Sequence, residues 1–138
     1  MIQPAGADEI AREILTTTKT WAVVGCSADP RRASNGVAAF LLALGIDVVP
    51  VHPAYDEVLG RRCYPDLRSV PGAIDVVDIF RRADEAGAHV DEAISVGAAA
   101  VWMQLGVIDE AAAQRARAAG LLVVMDRCPR IEYPRLVR

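Results

Sequence analysis

The chain is 138 residues long, with 53% hydrophobic and 24% charged residues, a composition that predicts one globular domain over 1–138 with a core of ordinary size. A formal net charge of −3 argues against a general nucleic-acid binder, and no stretch reaches the apolar length of a membrane span. Neither a nucleic acid nor a membrane is therefore expected as a partner.

In chain order, the opening MIQPAGADEIAREIL mixes charged with apolar positions and lacks the apolar core of a signal peptide, so a cytoplasmic location is expected. Asp8–Thr18 predicts a short helix with Ile10, Ile14 and Leu15 on one face. Trp21–Val24 is a buried type of strand that ends at Gly25, followed by a polar loop, Cys26–Ala33. The next helix carries Val37, Phe40, Leu41 and Leu44 at helical spacing, with Ser34 or Asn35 as its cap and Gly45 as its stop. Asp47–Val51 predicts a second strand closed by His52-Pro53, and Pro50 within it disfavours a central position in a sheet. Ala54–Gly72, punctuated by Gly60, Pro65 and Pro71, reads as irregular with a turn at Cys63-Tyr64-Pro65. Ile74–Ile79 is the third strand and runs into Phe80-Arg81-Arg82. A helix over His89–Val96, a fourth strand over Ala99–Met103, a helix over Ile108–Ala119 and a fifth strand over Leu121–Met125 follow. Asp126-Arg127-Cys128-Pro129 leaves the last strand.

Continuous apolar strands alternating with helices predict an α/β fold, a Rossmann-like, doubly wound, five-stranded parallel sheet with helices on both faces. Its simplest strand order is 3-2-1-4-5. Ligands in such folds bind at the carboxyl ends of the strands. Those ends carry Gly25–Arg32, His52-Pro53, Phe80-Arg81-Arg82, Gln104-Leu105-Gly106 and Asp126-Arg127-Cys128. The first strand, its loop and the following helix N-terminus suit phosphate. Arginines outnumber lysine fourteen to one, and two of their pairs, with Arg127, fall on this edge. That placement favours an anionic ligand over chance solvated side chains.

The loop is not the G-x-G-x-x-G fingerprint, since Ser27 and Pro30 stand where its second and third glycines would be. Nor does the second strand end in the Asp or Glu that accepts from an NAD ribose; it ends in His52-Pro53. NAD loses ground, whereas NADP and coenzyme A (CoA), whose riboses carry phosphate, remain open. No catalytic constellation emerges. Ser27 lacks a base partner, His52 and His89 read as a turn and a helix residue, and Asp75 and Asp78 lie on one strand with two residues between them. Asp126 either pairs with Arg127 or orients its loop. Cys26, Cys63 and Cys128 are odd in number and widely separated, giving no metal-ligand spacing and fitting a reducing compartment.

The segments VVGCSADPRRASNGVAAFL, VVPVHPAYDEVLGRRCYPDL, DVVDIFRR, AVWMQLG and GLLVVMDRCPRIEYPRL, in that order, resemble the small stand-alone CoA-binding proteins. These are similar in turn to the CoA-binding domain of the succinyl-CoA synthetase alpha subunit. The resemblance runs from about Thr18 to Leu136 and implies a Rossmann-like fold holding CoA on the carboxyl edge. It implies phosphates near Gly25, Cys26 and Ser27 with Arg32 and Asn35 close by. The adenosine end falls near His52, Pro53, Phe80, Arg81 and Arg82, and Gln104 lies beside the pantetheine path. The synthetase's second domain, with its phosphorylated histidine, has no counterpart here, so ligase activity is not implied. The expected function is binding of CoA or acyl-CoA without catalysis of its own. The alternatives are an NADP-type oxidoreductase and a CoA-responsive module that docks a protein partner. Cys128, in the loop towards which a pantetheine arm would run, is a candidate partner for the ligand thiol; Cys26 is its rival, and simple packing under Pro129 is the structural alternative.

Overall fold

A computed structural model describes residues 6–137; the first five residues of the opening stretch lie outside the described residues. The elements run α1 (Ala7–Thr17), β1 (Thr20–Val24), α2 (Ala33–Ala43), β2 (Asp47–Val51), β3 (Glu57–Val58), β4 (Arg61–Arg62), a 3₁₀ turn (Leu67–Ser69), β5 (Val76–Ile79), α3 (Ala83–Ser95), β6 (Ala100–Met103), α4 (Glu110–Ala118), β7 (Leu122–Val124) and α5 (Pro129–Leu136). Five strands form one parallel sheet, β2-β1-β5-β6-β7, and β3 and β4 pair as a separate antiparallel hairpin.

Alternation along each strand divides the core in two. Trp21, Val23, Val76 and Trp102 face α1, α2 and α5, where Ile14, Leu41 and Leu136 close over them. Ala22, Val24, Val77 and Ile79 face α3 and α4, whose contact surface is largely alanine: Ala86, Ala93, Ala112, Ala113 and Ala116. The doubly wound class follows directly, because strands buried on both faces read as nearly continuous apolar runs, here interrupted in the middle strand only at Asp78.

The strand order departs from 3-2-1-4-5. Numbering only the strands of the main sheet, it is 2-1-3-4-5, because β5 pairs with β1 on the side away from β2. The outer edge of β2 is already taken. Tyr64 forms a parallel bridge with Val51, its N–H donates to the Pro50 carbonyl (3.1 Å), and its own carbonyl accepts from the His52 N–H (2.9 Å). The segment expected to be irregular thus holds the β3–β4 hairpin and covers the edge, where the missing N–H of Pro50 is tolerated. The chain must return on the other side of β1, and the topological switch point falls between β1 and β5.

Four helix expectations also change. Helix α2 begins at Ala33 with Arg32 at its N-cap, and no side chain caps it. Ser34 and Asn35 sit inside its first turn and point back to the preceding loop. Helix α3 begins six residues before His89, with Asp84 and Glu85 favourable in its first turn. Gly87 does not interrupt it, because a Cβ there would meet Asp109 Oδ2 at 3.0 Å; the glycine lets α4 approach. Helix α4 starts at Glu110 behind Asp109, whose carboxylate accepts from the Ala112 N–H (3.0 Å). Helix α5 was not expected at all. Pro129 opens it at a position that needs no N–H, and Tyr133 packs edge-on against Phe40 of α2, ring centroids 5.9 Å apart.

Candidate ligand-binding cleft

The carboxyl ends of the strands open into one cleft of about 810 Å³, within the usual range for small-molecule sites. Its base is the turn after β1. Gly25 has φ 82°, and a Cβ there would come within 2.3 Å of the Phe80 carbonyl oxygen. Only glycine lets the ends of β1 and β5 approach this closely at the switch point. The loop beyond is braced from within. The Ser27 N–H donates to Ser34 Oγ (3.0 Å), Asn35 Nδ2 donates to the Ser27 carbonyl (2.9 Å), and the Asp29 N–H donates to Ser27 Oγ (3.0 Å). Ser34 and Asn35 therefore shape the loop, and the first turn of α2 reaches the cleft at Ala33 and Ser34 without a side-chain cap.

The charges around it are of two kinds. Arg31 binds Asp29 through two hydrogen bonds (3.1 and 2.9 Å), which holds the Asp29 carboxyl below the usual range. Arg82 reaches Asp84 and Glu85, each at 3.3 Å. Arg32 and Arg81 also line the cleft, and among the described residues their guanidinium groups make no ion pair or hydrogen bond. Arg81 Nε lies 3.3 Å from where a Cβ of residue 25 would be, directly over the glycine turn. His52 stacks on Tyr55 (centroids 4.5 Å), and its Nδ1 accepts from the Ala54 N–H (3.0 Å). Burial, then the charge of Arg81, lowers the pKa of His52. The same two causes, in the same order, outweigh Glu92 and Glu85 and lower that of His89. His89 lies in a neighbouring pocket of about 270 Å³, together with His52, Pro53 and Arg81. At the β6 end Gln104 lines the cleft while only 6% exposed, and its Oε1 has no hydrogen-bond partner.

Eight of the eleven expected positions, Gly25, Ser27, Arg32, His52, Phe80, Arg81, Arg82 and Gln104, line this cleft. Asn35 acts through Ser27, Pro53 lies in the adjoining pocket, and Cys26 is fully buried in the core below the loop. Arg127 does not join the cationic edge: its guanidinium is bound to Asp8 and Glu132, both at 2.7 Å. Asp126 does not pair with Arg127. It accepts from the Gly106 N–H (2.8 Å) with φ 60° and so ties the loop after β7 to the loop after β6. The paired-carboxylate appearance of Asp75 and Asp78 dissolves as well. Asp75 accepts from the Lys19 and Thr20 N–H groups at the amino end of β1, and Asp78 is buried in the core. Sequence reasoning missed Val37, Tyr55 and Val107 as lining residues. Tyr55 could have been found as an aromatic four residues after the carboxyl end of β2.

A family model described as a CoA binding domain matches residues 19–134. The chain belongs to the CoA-binding domain family. The CoA-binding domain is 34% identical over 122 residues to the Bacillus subtilis protein YneT, covering 88% of this chain and 90% of that one. A hypothetical protein from Pyrococcus horikoshii OT3 has a solved structure with a TM-score of 0.92 and 42% identity, over 100% of this chain and 99% of that one. The dinucleotide-forming acetyl-coenzyme A synthetase 1 of Ca. Korarchaeum cryptofilum, solved with phosphate and ADP, gives 0.73 and 26% identity. That match covers 83% of this chain but 27% of the synthetase, so the larger enzyme contains a domain of this shape. Among the described residues, no helix is long and apolar enough to cross a membrane.

Proposed function

We propose that this CoA-binding domain holds CoA or acyl-CoA in the 810 Å³ cleft and carries out no catalysis of its own. The observation that carries the reading is the pair of unpartnered guanidinium groups, Arg32 and Arg81, beside a glycine turn and an uncapped helix N-terminus. Cations without protein partners beside an uncapped helix N-terminus match a ligand with several phosphate groups. Gly25, Ser27 and Arg32 would hold the diphosphate, with Asn35 and the Cys26 backbone keeping the loop in shape. His52, Tyr55, Phe80, Arg81 and Arg82 would bracket the phosphorylated adenosine, with Pro53 at its margin. Gln104 would turn its buried Oε1 towards a pantetheine amide, which removes the cost of an unpartnered carbonyl. CoA supplies the thiol on which acyl groups are carried; the protein's share is binding and orientation.

The test is calorimetric titration of CoA into wild type and into Arg32→Ala, Arg81→Ala and Arg61→Ala. A charge-assisted contact contributes about 1.5–3 kcal/mol, so each of the first two substitutions should weaken binding roughly tenfold or more, and less at high salt. Arg61 is held by Asp47 and the Val48 carbonyl outside the cleft, and its loss should leave affinity unchanged. Weakening by Arg61→Ala with no effect at Arg32 or Arg81 overturns the reading.

A further inference from the structure

We propose that Cys128 is a thiol–disulfide exchange site for the disulfide of CoA, an inference that rests on the CoA reading above. Among the three free cysteines, Cys26 is fully buried, and burial, with lesser contributions from Cys63 and Asp78, pushes its thiol up to about 12. Cys63 lies in a separate pocket with Asp56, Glu57 and Arg62. Cys128 alone of the three lines the cleft that holds Arg32 and Arg81, at the margin of the core with 9% of its surface exposed.

A second, independent feature marks the same end of the cleft as a ligand path. Gln104 is buried with its Oε1 unpartnered and lines the cleft too. The two loops are laced together. Trp102 Nε1 donates to the Arg127 carbonyl (2.8 Å), the Arg127 N–H to the Met103 carbonyl (3.3 Å), and the Gly106 N–H to Asp126 (2.8 Å). Cys128 therefore stands on a fixed loop after β7, lining the same cleft as Gln104 at the end of β6.

The sheet sets the distance. From β1 to β7 are three strand intervals, about 14 Å at ~4.8 Å each. A pantetheine arm has a backbone about as long as four extended residues, roughly 14 Å. With the diphosphate over the β1 loop, an arm running along the sheet edge past Gln104 brings its sulfur to Cys128.

In the exchange, the Cys128 thiolate attacks one sulfur of oxidised CoA. A protein–CoA disulfide forms, the original S–S bond breaks, and one reduced CoA leaves, taking up the proton that Cys128 gave up. Oxidised CoA is the oxidant and no other is needed.

Intact-protein mass spectrometry after incubation with oxidised CoA tests this on wild type, Cys26→Ser, Cys63→Ser and Cys128→Ser. One adduct is expected, equal to one CoA less two hydrogens, reversed by dithiothreitol and absent only in Cys128→Ser. On wild type it should form at least tenfold faster than the adduct with bis(2-hydroxyethyl) disulfide, and excess S-methyl-CoA, which cannot exchange, should slow it. An adduct that survives in Cys128→Ser, a rate no faster than with the neutral disulfide, or no adduct where reduced CoA still binds by calorimetry overturns the proposal. Absence of binding by reduced CoA instead overturns the CoA reading, and the exchange site with it.

Discussion

Asp78 sits on β5, the middle strand of the sheet, fully buried and with both carboxylate oxygens unpartnered. Burial alone raises its pKa well above the usual carboxylate value of 3.8. The folded state therefore keeps this proton at pH values where the unfolded chain has lost it. The group's contribution to stability is complete below 3.8 and declines as the pH rises from there through the folded-state value. Asp78→Asn cannot ionise and should abolish the decline. Urea denaturation of both proteins between about pH 4 and pH 8 should show the variant gaining on wild type as the pH rises; a difference independent of pH contradicts the assignment. The sequence displayed Asp75 and Asp78 as an equivalent pair. Their difference is one of depth, since Asp75 meets two N–H groups at the strand's start and Asp78 meets none, and no local pattern encodes depth.

Helices α1 and α5 are joined by an ion cluster in which Arg127 bridges Asp8 and Glu132, and Arg135 reaches the same two carboxylates. Its members differ in exposure, and exposure decides their worth. The Arg127 side chain is 13% exposed, whereas Arg31, in a pair of similar geometry with Asp29, is 88% exposed. Removing Glu132 leaves the largely buried Arg127 guanidinium with Asp8 alone, so Glu132→Ala should cost about 1–3 kcal/mol. Arg31→Ala, at a fully solvated pair, should leave stability essentially unchanged. Equal losses in urea denaturation would contradict the ranking. Most elements were legible from their apolar patterns, and β2 is predicted at its observed bounds. Helix α5 was not, because Pro134 lies inside it and its burial depends on α1 and α2, partners remote in sequence. Helix α3 starts before the expected His89 and runs through Gly87, at which α4 approaches.

At the scale of the whole molecule, the cleft exists because strands far apart in sequence end side by side. The sequence marked which loops carry arginine, glycine and glutamine, and the parallel class implied that they share an edge. It did not reveal the strand order, because the segment that covers β2 does so through backbone hydrogen bonds at Tyr64 that have no side-chain signature. Nor did it separate free arginines from committed ones: Arg127 looks like an edge cation until Asp8 and Glu132 are seen around it. The order that results sets β5, with Arg81 just beyond it, beside β1 and its glycine turn, and leaves His52-Pro53 at the end of β2 without a carboxylate for a ribose diol. These features favour a phosphorylated ribose and a diphosphate on one cationic edge. The direct measurement is calorimetric titration of the wild-type protein with CoA and with NAD under the same salt. Tighter binding of CoA than of NAD is the predicted result, and tighter binding of NAD, or no binding of CoA, would contradict it.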